Sequence, residues 1–281
     1  MKKIKCYDRE PSFDFHKEVV KRKRNANAAT VQGMETALKN RFELYEELFA
    51  SNELEALVAA KYSEAQCEAL RDMYSYSAKK FVELKHFYLV DNNGRLNDTC
   101  PNCQMDTITS FDHLVPQSEF PEYSDDILNL IPCCVLCNGH KNNIWRESGK
   151  RKYLNLFLDD IPDVQFLFAK ISVIEEKLSI RFNVQNTGNI DTSLFDRINN
   201  HYTKLDLLNR YKTKADSVIA SLANDIQTYV GNMPDETIVE LGIKRANQDQ
   251  KKYGVNYWKS VLQIAALKDA VVLNYLKTCV L

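Results

Sequence analysis

The sequence predicts an α+β protein, mainly helical, in which a compact cysteine-bearing core is flanked by N-terminal helices and by a C-terminal hairpin with further helices. Three observations predict it. Residues 12–90 contain one glycine, Gly33, and no proline, and their apolar residues recur every three to four positions. Residues 98–150 are instead rich in Pro, Asn and Asp and hold five of the eight cysteines. Residues 166–186, FLFAKISVIEEKLSIRFNVQN, place two β-rich runs around a polar turn.

Taken in order, TALKNRFELYEELFASNELEALVAAKY (36–62) and SEAQCEALRDMYSYSAKKFVELKHFYLV (63–90) read as helices. Ser63 followed by Glu64 is an N-cap start for the second. DNNGRLNDT (91–99) then breaks the pattern with turn residues. The hairpin turn falls at Glu175–Lys177. SLFDRINNHYTKLDLLNRYKTKADSVIASLANDIQTYV (193–230) and VNYWKSVLQIAALKDAVVLNYLKTCVL (255–281) resume helical periodicity. The domains expected are 1–97, N-terminal helices; 98–150, the cysteine-bearing core; and 151–281, the hairpin with C-terminal helices.

Of the 281 residues, 44% are apolar and 27% charged, ordinary values for a globular protein, and the net charge is −1. No apolar run approaches the roughly 18 residues of a membrane span. The start, MKKIKCYDREPSFDF, lacks the apolar stretch of a secretory signal, so the expected compartment is the cytoplasm, where thiols stay reduced. Basic residues concentrate in HKEVVKRKRN (16–25) and WRESGKRKY (145–153), each either a phosphate contact or a solvated face. Cys6, Cys67 and Cys279 are scattered and read as small buried residues.

CPNC (100–103) and CVLC (134–137) are two C-x2-C pairs. In each, a tight turn can aim two thiolates at one ion, and two pairs complete the tetrahedral shell of a structural Zn2+. A redox C-x-x-C is the rival, but it sits before a helix in a βαβ setting and needs only one pair. Cys133 can stand in for Cys134, although the spacing to Cys137 favours Cys134. A shell of Cys100, Cys103, Cys134 and Cys137 is closed, so this ion would hold structure and do no catalysis.

Between the pairs lies FDHLVPQSEFPEYSDDILNLIP (111–132). Asp112-His113, Asn129 in LNL and Asn138 in CVLCNGHK, in this order inside two C-x2-C pairs, resemble the HNH endonuclease motif, or ββα-metal fold, over residues 98–146. The resemblance implies a hairpin with Asp112 and His113 on one side and Asn129 on the other, then a short helix starting near Cys137. It also implies phosphodiester hydrolysis leaving 5′-phosphate and 3′-hydroxyl ends. His113 would be the general base, Asp112 and Asn138 would offer oxygens to Mg2+ or Mn2+, and Asn129 would hold the histidine loop. The chemistry suits these roles: an imidazole titrates near neutral pH, and oxygen donors suit a hard cation. Many family members carry His where this chain has Asn138. His140, two residues on, is therefore an alternative ligand, one that would favour a softer metal. Lys141 is either a phosphate contact or a surface lysine, Trp145 a core residue capping the insert, and His16, His86 and His201 structural.

Residues 98–146 hold two cations, Lys141 and Arg146, against seven acids. Grip on a polyanion therefore has to come from residues 17–24 and 146–152, or from a partner protein. The whole layout, with PQSEFPEYSDDILNLIPCC and INNHYTKLDLLNRY, is similar to the PtuB-type anti-phage effector nucleases of Septu and some retron systems. That resemblance implies an ATPase partner that holds and gates the nuclease, with DNA as the main substrate and transfer RNA as the rival. Two other classes stay open: a stand-alone restriction or homing endonuclease, and a catalytically inactive zinc-stabilised binding module.

Overall fold

The first ninety residues fold into five α-helices in a computed structural model, which describes residues 1, 3–90 and 93–279. They are α1 (Ser12–Arg22), α2 (Ala26–Gln32), α3 (Glu35–Ala50), α4 (Glu64–Asp72) and α5 (Lys79–Leu89). A capping box starts α4: the Ser63 hydroxyl accepts the Gln66 N–H, and the Gln66 side chain accepts the Ser63 N–H. Helix covers less of 36–90 than the periodicity suggests. α3 stops at Ala50 because the chain turns through Ser51 and Asn52, the latter at φ +59°. Residues 73–78 separate α4 from α5.

The cysteine-bearing segment packs into these helices. Strand β1 (Ser110–His113) pairs antiparallel with β2 (Leu130–Cys133), Asp112 facing Ile131 and His113 facing Leu130. Helix α6 (Val135–Lys141) follows, then two short strands, β3 (Arg146–Glu147) and β4 (Lys150–Arg151). Phe111 and Leu130 share a core with Phe15, Leu38, Phe81 and Leu84 of the helices. A second core joins Tyr45 and Phe49 of α3 to Phe120, Tyr123, Trp145 and Phe157. Residues 3–160 thus form one compact unit.

A second unit comprises Met1 and the chain from Ile161 onward. Strands β5 (Leu167–Ile174) and β6 (Lys177–Val184) pair from Leu167–Val184 to Ile174–Lys177. Their turn is Glu175–Glu176, both at positive φ (+48° and +59°), as a type I′ turn requires. Asn256 pins the hairpin's base, accepting the Phe166 and Leu167 N–H groups at 2.8 Å and 2.9 Å. Five helices follow: α7 (Thr192–Lys204), α8 (Leu207–Tyr229), α9 (Asp235–Tyr253), α10 (Trp258–Lys268) and α11 (Ala270–Thr278). Asp206, at φ +52°, splits the stretch 193–230 into α7 and α8.

Eleven α-helices and three two-stranded antiparallel sheets among the described residues make this a mainly helical α+β fold. No helix among them is long and apolar enough to cross a membrane. Cys6, Cys67 and Cys279 are only partly buried, a correction to their reading as core residues.

Candidate active site

The sulfurs of Cys100, Cys103, Cys134 and Cys137 all lie within 4.8 Å of one another, and all four residues are buried. A tetrahedral zinc with Zn–S bonds of about 2.3 Å has S···S edges of about 3.8 Å. Cys103 Sγ and Cys134 Sγ stand 3.8 Å apart, so the set fits such an ion. Cys134 also serves as the N-cap of α6, its sulfur accepting the Cys137 N–H at 3.4 Å. Cys133 lies outside the set, its sulfur 3.3 Å from Ser110 Oγ.

One turn beyond Cys134, α6 and β1 enclose a cleft of about 670 Å3 lined by Asp112, His113, Asn138, Gln117, Asn142 and Tyr74 among others. Half-buried His113 places Nε2 2.8 Å from the Ser124 carbonyl oxygen. A carbonyl only accepts, so Nε2 carries the proton and Nδ1 keeps the lone pair. Gln117 Nε2 is 3.1 Å from Nδ1 and 2.9 Å from Nε2, near-equal distances that put the amide over the ring face. Tyr74 meets the imidazole edge-on, with ring centroids 4.8 Å apart. Loss of solvation, helped by the Lys141 ammonium and opposed by the Ser124 hydrogen bond, lowers the His113 pKa to about 4. The imidazole is therefore neutral at physiological pH, the state a base requires.

Asp112, buried on β1, accepts Lys141 Nζ at 3.0 Å, and the same ammonium reaches the His113 carbonyl at 2.5 Å. Lys141 is thus neither a phosphate contact nor a surface residue but an internal counterion. Burial raises the Asp112 pKa, and the charge and hydrogen bond of Lys141 oppose the rise. A carboxylate offers about four lone-pair sites, so capacity for a cation remains. Asn138 donates through Nδ2 to Ser110 Oγ at 3.3 Å and to the Phe111 carbonyl at 3.1 Å, which leaves Oδ1 as its donor to a metal. One carboxylate and one amide oxygen on a shared cleft fit a hard divalent cation.

Asn129, fully buried, spends its amide on the loop and on α3. Oδ1 accepts the Val115 N–H at 2.8 Å and the Tyr45 hydroxyl at 3.1 Å. Nδ2 donates to the carbonyls of Val115 at 3.1 Å and Tyr123 at 2.9 Å. His140 stands apart, exposed on α6 and outside the cleft lining. Sequence reasoning missed Gln117 and Asn142. Asn142 falls four residues after Asn138, the spacing that keeps a helical face, and that was its available signal.

The second basic stretch turns largely inward, whereas Lys17, Lys21, Arg22 and Arg24 of the first are exposed. Lys17 pairs with Asp14, Arg22 with Glu83, and Lys23 with Asp72. Arg146 holds Glu119 and the carbonyls of Glu55 and Leu57, Arg151 holds Asp159, and Lys152 holds Glu147. Trp145 is buried and donates to Glu119 at 2.8 Å.

A four-cysteine cluster, a two-stranded hairpin and a short helix thus bring a histidine, a carboxylate and an amide to one cleft. Residues 100–143 match the family model described as HNH endonuclease and carry that domain. Over 139 residues the chain is 24% identical to Protein ea31 of Escherichia phage lambda, a match covering 47% of this chain and 46% of that protein. The chain thus spans about half the length of this curated relative. No solved structure matches it. An HNH domain implies a nucleic-acid substrate.

Proposed function

We propose that the chain is a metal-dependent endonuclease that hydrolyses phosphodiester bonds of nucleic acid, DNA foremost. The observation that carries this is His113: Ser124 holds its Nε2–H, and its Nδ1 lone pair shares a cleft with Asp112 and Asn138. In this reading Nδ1 takes the proton of the attacking water. Lys141 opposes the rise that burial imposes on the Asp112 pKa, favouring its carboxylate form. Asp112 and Asn138 would hold Mg2+ or Mn2+, which when bound supplies positive charge to the phosphate and the leaving oxygen. Asn129 keeps the loop that presents His113 in one shape, while the zinc cage fixes the start of α6.

The role we assign is that of an anti-phage effector in the cytoplasm, gated by an ATPase partner. Similarity of layout supports it, and so does the core itself, whose two cations, Lys141 and Arg146, are both paired with acids of the chain and leave the grip on a polyanion to the exposed residues of 17–24 or to another protein.

The test is Mg2+-dependent cleavage of supercoiled plasmid and of total transfer RNA, with and without a candidate ATPase. Wild type should cut plasmid, and His113→Ala should lose about 10²–10⁴-fold in rate while retaining zinc. Cutting of transfer RNA alone would move the substrate to RNA. A wild type inactive in every arm would make the chain a zinc-stabilised binding module.

A further inference from the structure

Ser124 lies in the loop joining β1 to β2, and its carbonyl is the group that sets the His113 tautomer. The residues on either side of that carbonyl are tied to the N-terminal helices. Glu122, whose side chain is fully enclosed, takes the Arg41 guanidinium of α3 at 2.7 Å and 2.9 Å. The Tyr123 hydroxyl donates to the Arg41 carbonyl at 3.0 Å. Asp125 faces His16 Nδ1 of α1 at 2.9 Å and 3.0 Å. Asp126 accepts the Ser12 hydroxyl of α1 at 2.5 Å. Ser124's own hydroxyl closes the loop on the Pro121 carbonyl at 2.7 Å.

Stability is a poor explanation for this arrangement. Enclosing three carboxylates costs solvation that hydrogen bonds and ion pairs return only in part. Glu122 Oε2 and Asp126 Oδ2 are buried without a hydrogen-bond partner among the described residues. Apolar side chains would hold the loop at lower cost. Directional bonds on both flanks of one carbonyl do something packing does not: they fix where that oxygen points.

We infer that Ser12, His16 and Arg41 are positioning residues for the nuclease site. They lock the Ser124 carbonyl, and through it the proton position and aim of His113. The inference rests on the nuclease reading above, and its test separates the two.

In the full-length chain, Ser12→Ala removes a tie from one flank, and Arg41→Gln with Glu122→Gln removes one from the other without stranding a charge. Plasmid cleavage gives kcat and KM, and ring-nitrogen NMR at fixed pH, assigned by His113→Ala, shows which His113 nitrogen carries the proton. Melting temperature and zinc content monitor the fold. Either variant should lower kcat about tenfold or more with KM unchanged, and should move the His113 signal from Nε2–H toward a mixture of tautomers. Unchanged kcat alongside a lower melting temperature would overturn the inference. So would an unmoved His113 signal in both variants, whatever the activity. If wild type cuts nothing, the nuclease reading fails, while the ring signal still decides whether the helices set the histidine.

Discussion

Removing one member of the buried Asp112–Lys141 pair leaves the other charged and without its partner. Lys141→Met should cost about 3 kcal/mol in denaturant unfolding, and adding Asp112→Asn should recover most of that loss, because the stranded charge and not the missing bond dominates the cost. Cleavage should stay low in both, since the single change raises the Asp112 pKa further and the double change removes the carboxylate. Asn129→Ala, which orphans the buried Val115 N–H and the Tyr45 hydroxyl together, should cost about 3 kcal/mol by the same measurement. At this scale the four-cysteine cluster and the grouping of Asp112, His113 and Asn138 on one cleft were legible because their residue types, order and spacing are local. Lys141 was not. Whether a lysine faces solvent or folds back onto a strand 29 residues earlier depends on tertiary packing, for which a single position carries no sign.

The contact of α1 with the 121–129 loop should give stability a particular pH dependence. Burial opposes charge on His16, yet the Asp125 carboxylate and its hydrogen bond carry the His16 pKa above the usual imidazole value. Burial pushes Asp126 up to about 7, against the Ser12 hydrogen bond. Both groups hold protons in the folded chain that the unfolded chain releases, so each contributes stability that is lost as pH rises through its folded value. His113 acts with the opposite sign, but only between about 4 and its unfolded value of about 6.5. Above pH 6.5 the first two dominate: the urea midpoint should fall from pH 6.5 to 8, and Asp126→Asn should flatten that slope. A zinc ion held by the four cysteines would act on the same hairpin from its far end. A strong chelator should abolish cleavage and protease resistance of residues 100–143 together, with one zinc per chain by elemental analysis before treatment. Among the elements, the hairpin β5–β6 was legible from its alternation and polar turn. Helix α9 was not read, although Pro234 before it, Asp235 and Glu236 in its first turn and Gly254 after it are ordinary boundary signals. With only Ile238 and Ala246 buried, it lacks the apolar stripe on which periodicity depends.

On the scale of the molecule, the segment 98–150 has no fold boundary of its own within residues 3–160. Phe111, Leu130, Phe120 and Trp145 are packed with α1, α3 and α5 in the two cores of that unit. Residues 3–160 expressed alone should therefore bind one zinc and melt cooperatively, whereas residues 98–150 alone should not, a comparison calorimetry can make. The sequence divides by composition, and composition changes at 98 and 150. Packing follows contacts between residues roughly a hundred positions apart, such as Ser12 with Asp126, and composition is blind to those. The zinc cage also has a consequence for chain length. By joining Cys100 and Cys103 to Cys134 and Cys137, an ion held there would tie the ends of a thirty-residue span, and the entropy of closing such a loop grows only logarithmically. Doubling the span would add about 0.6 kcal/mol. Loop closure therefore sets little limit on the length of this span; the limit comes from the buried packing of residues 111–131, so an added surface would have to grow where the span leaves those cores.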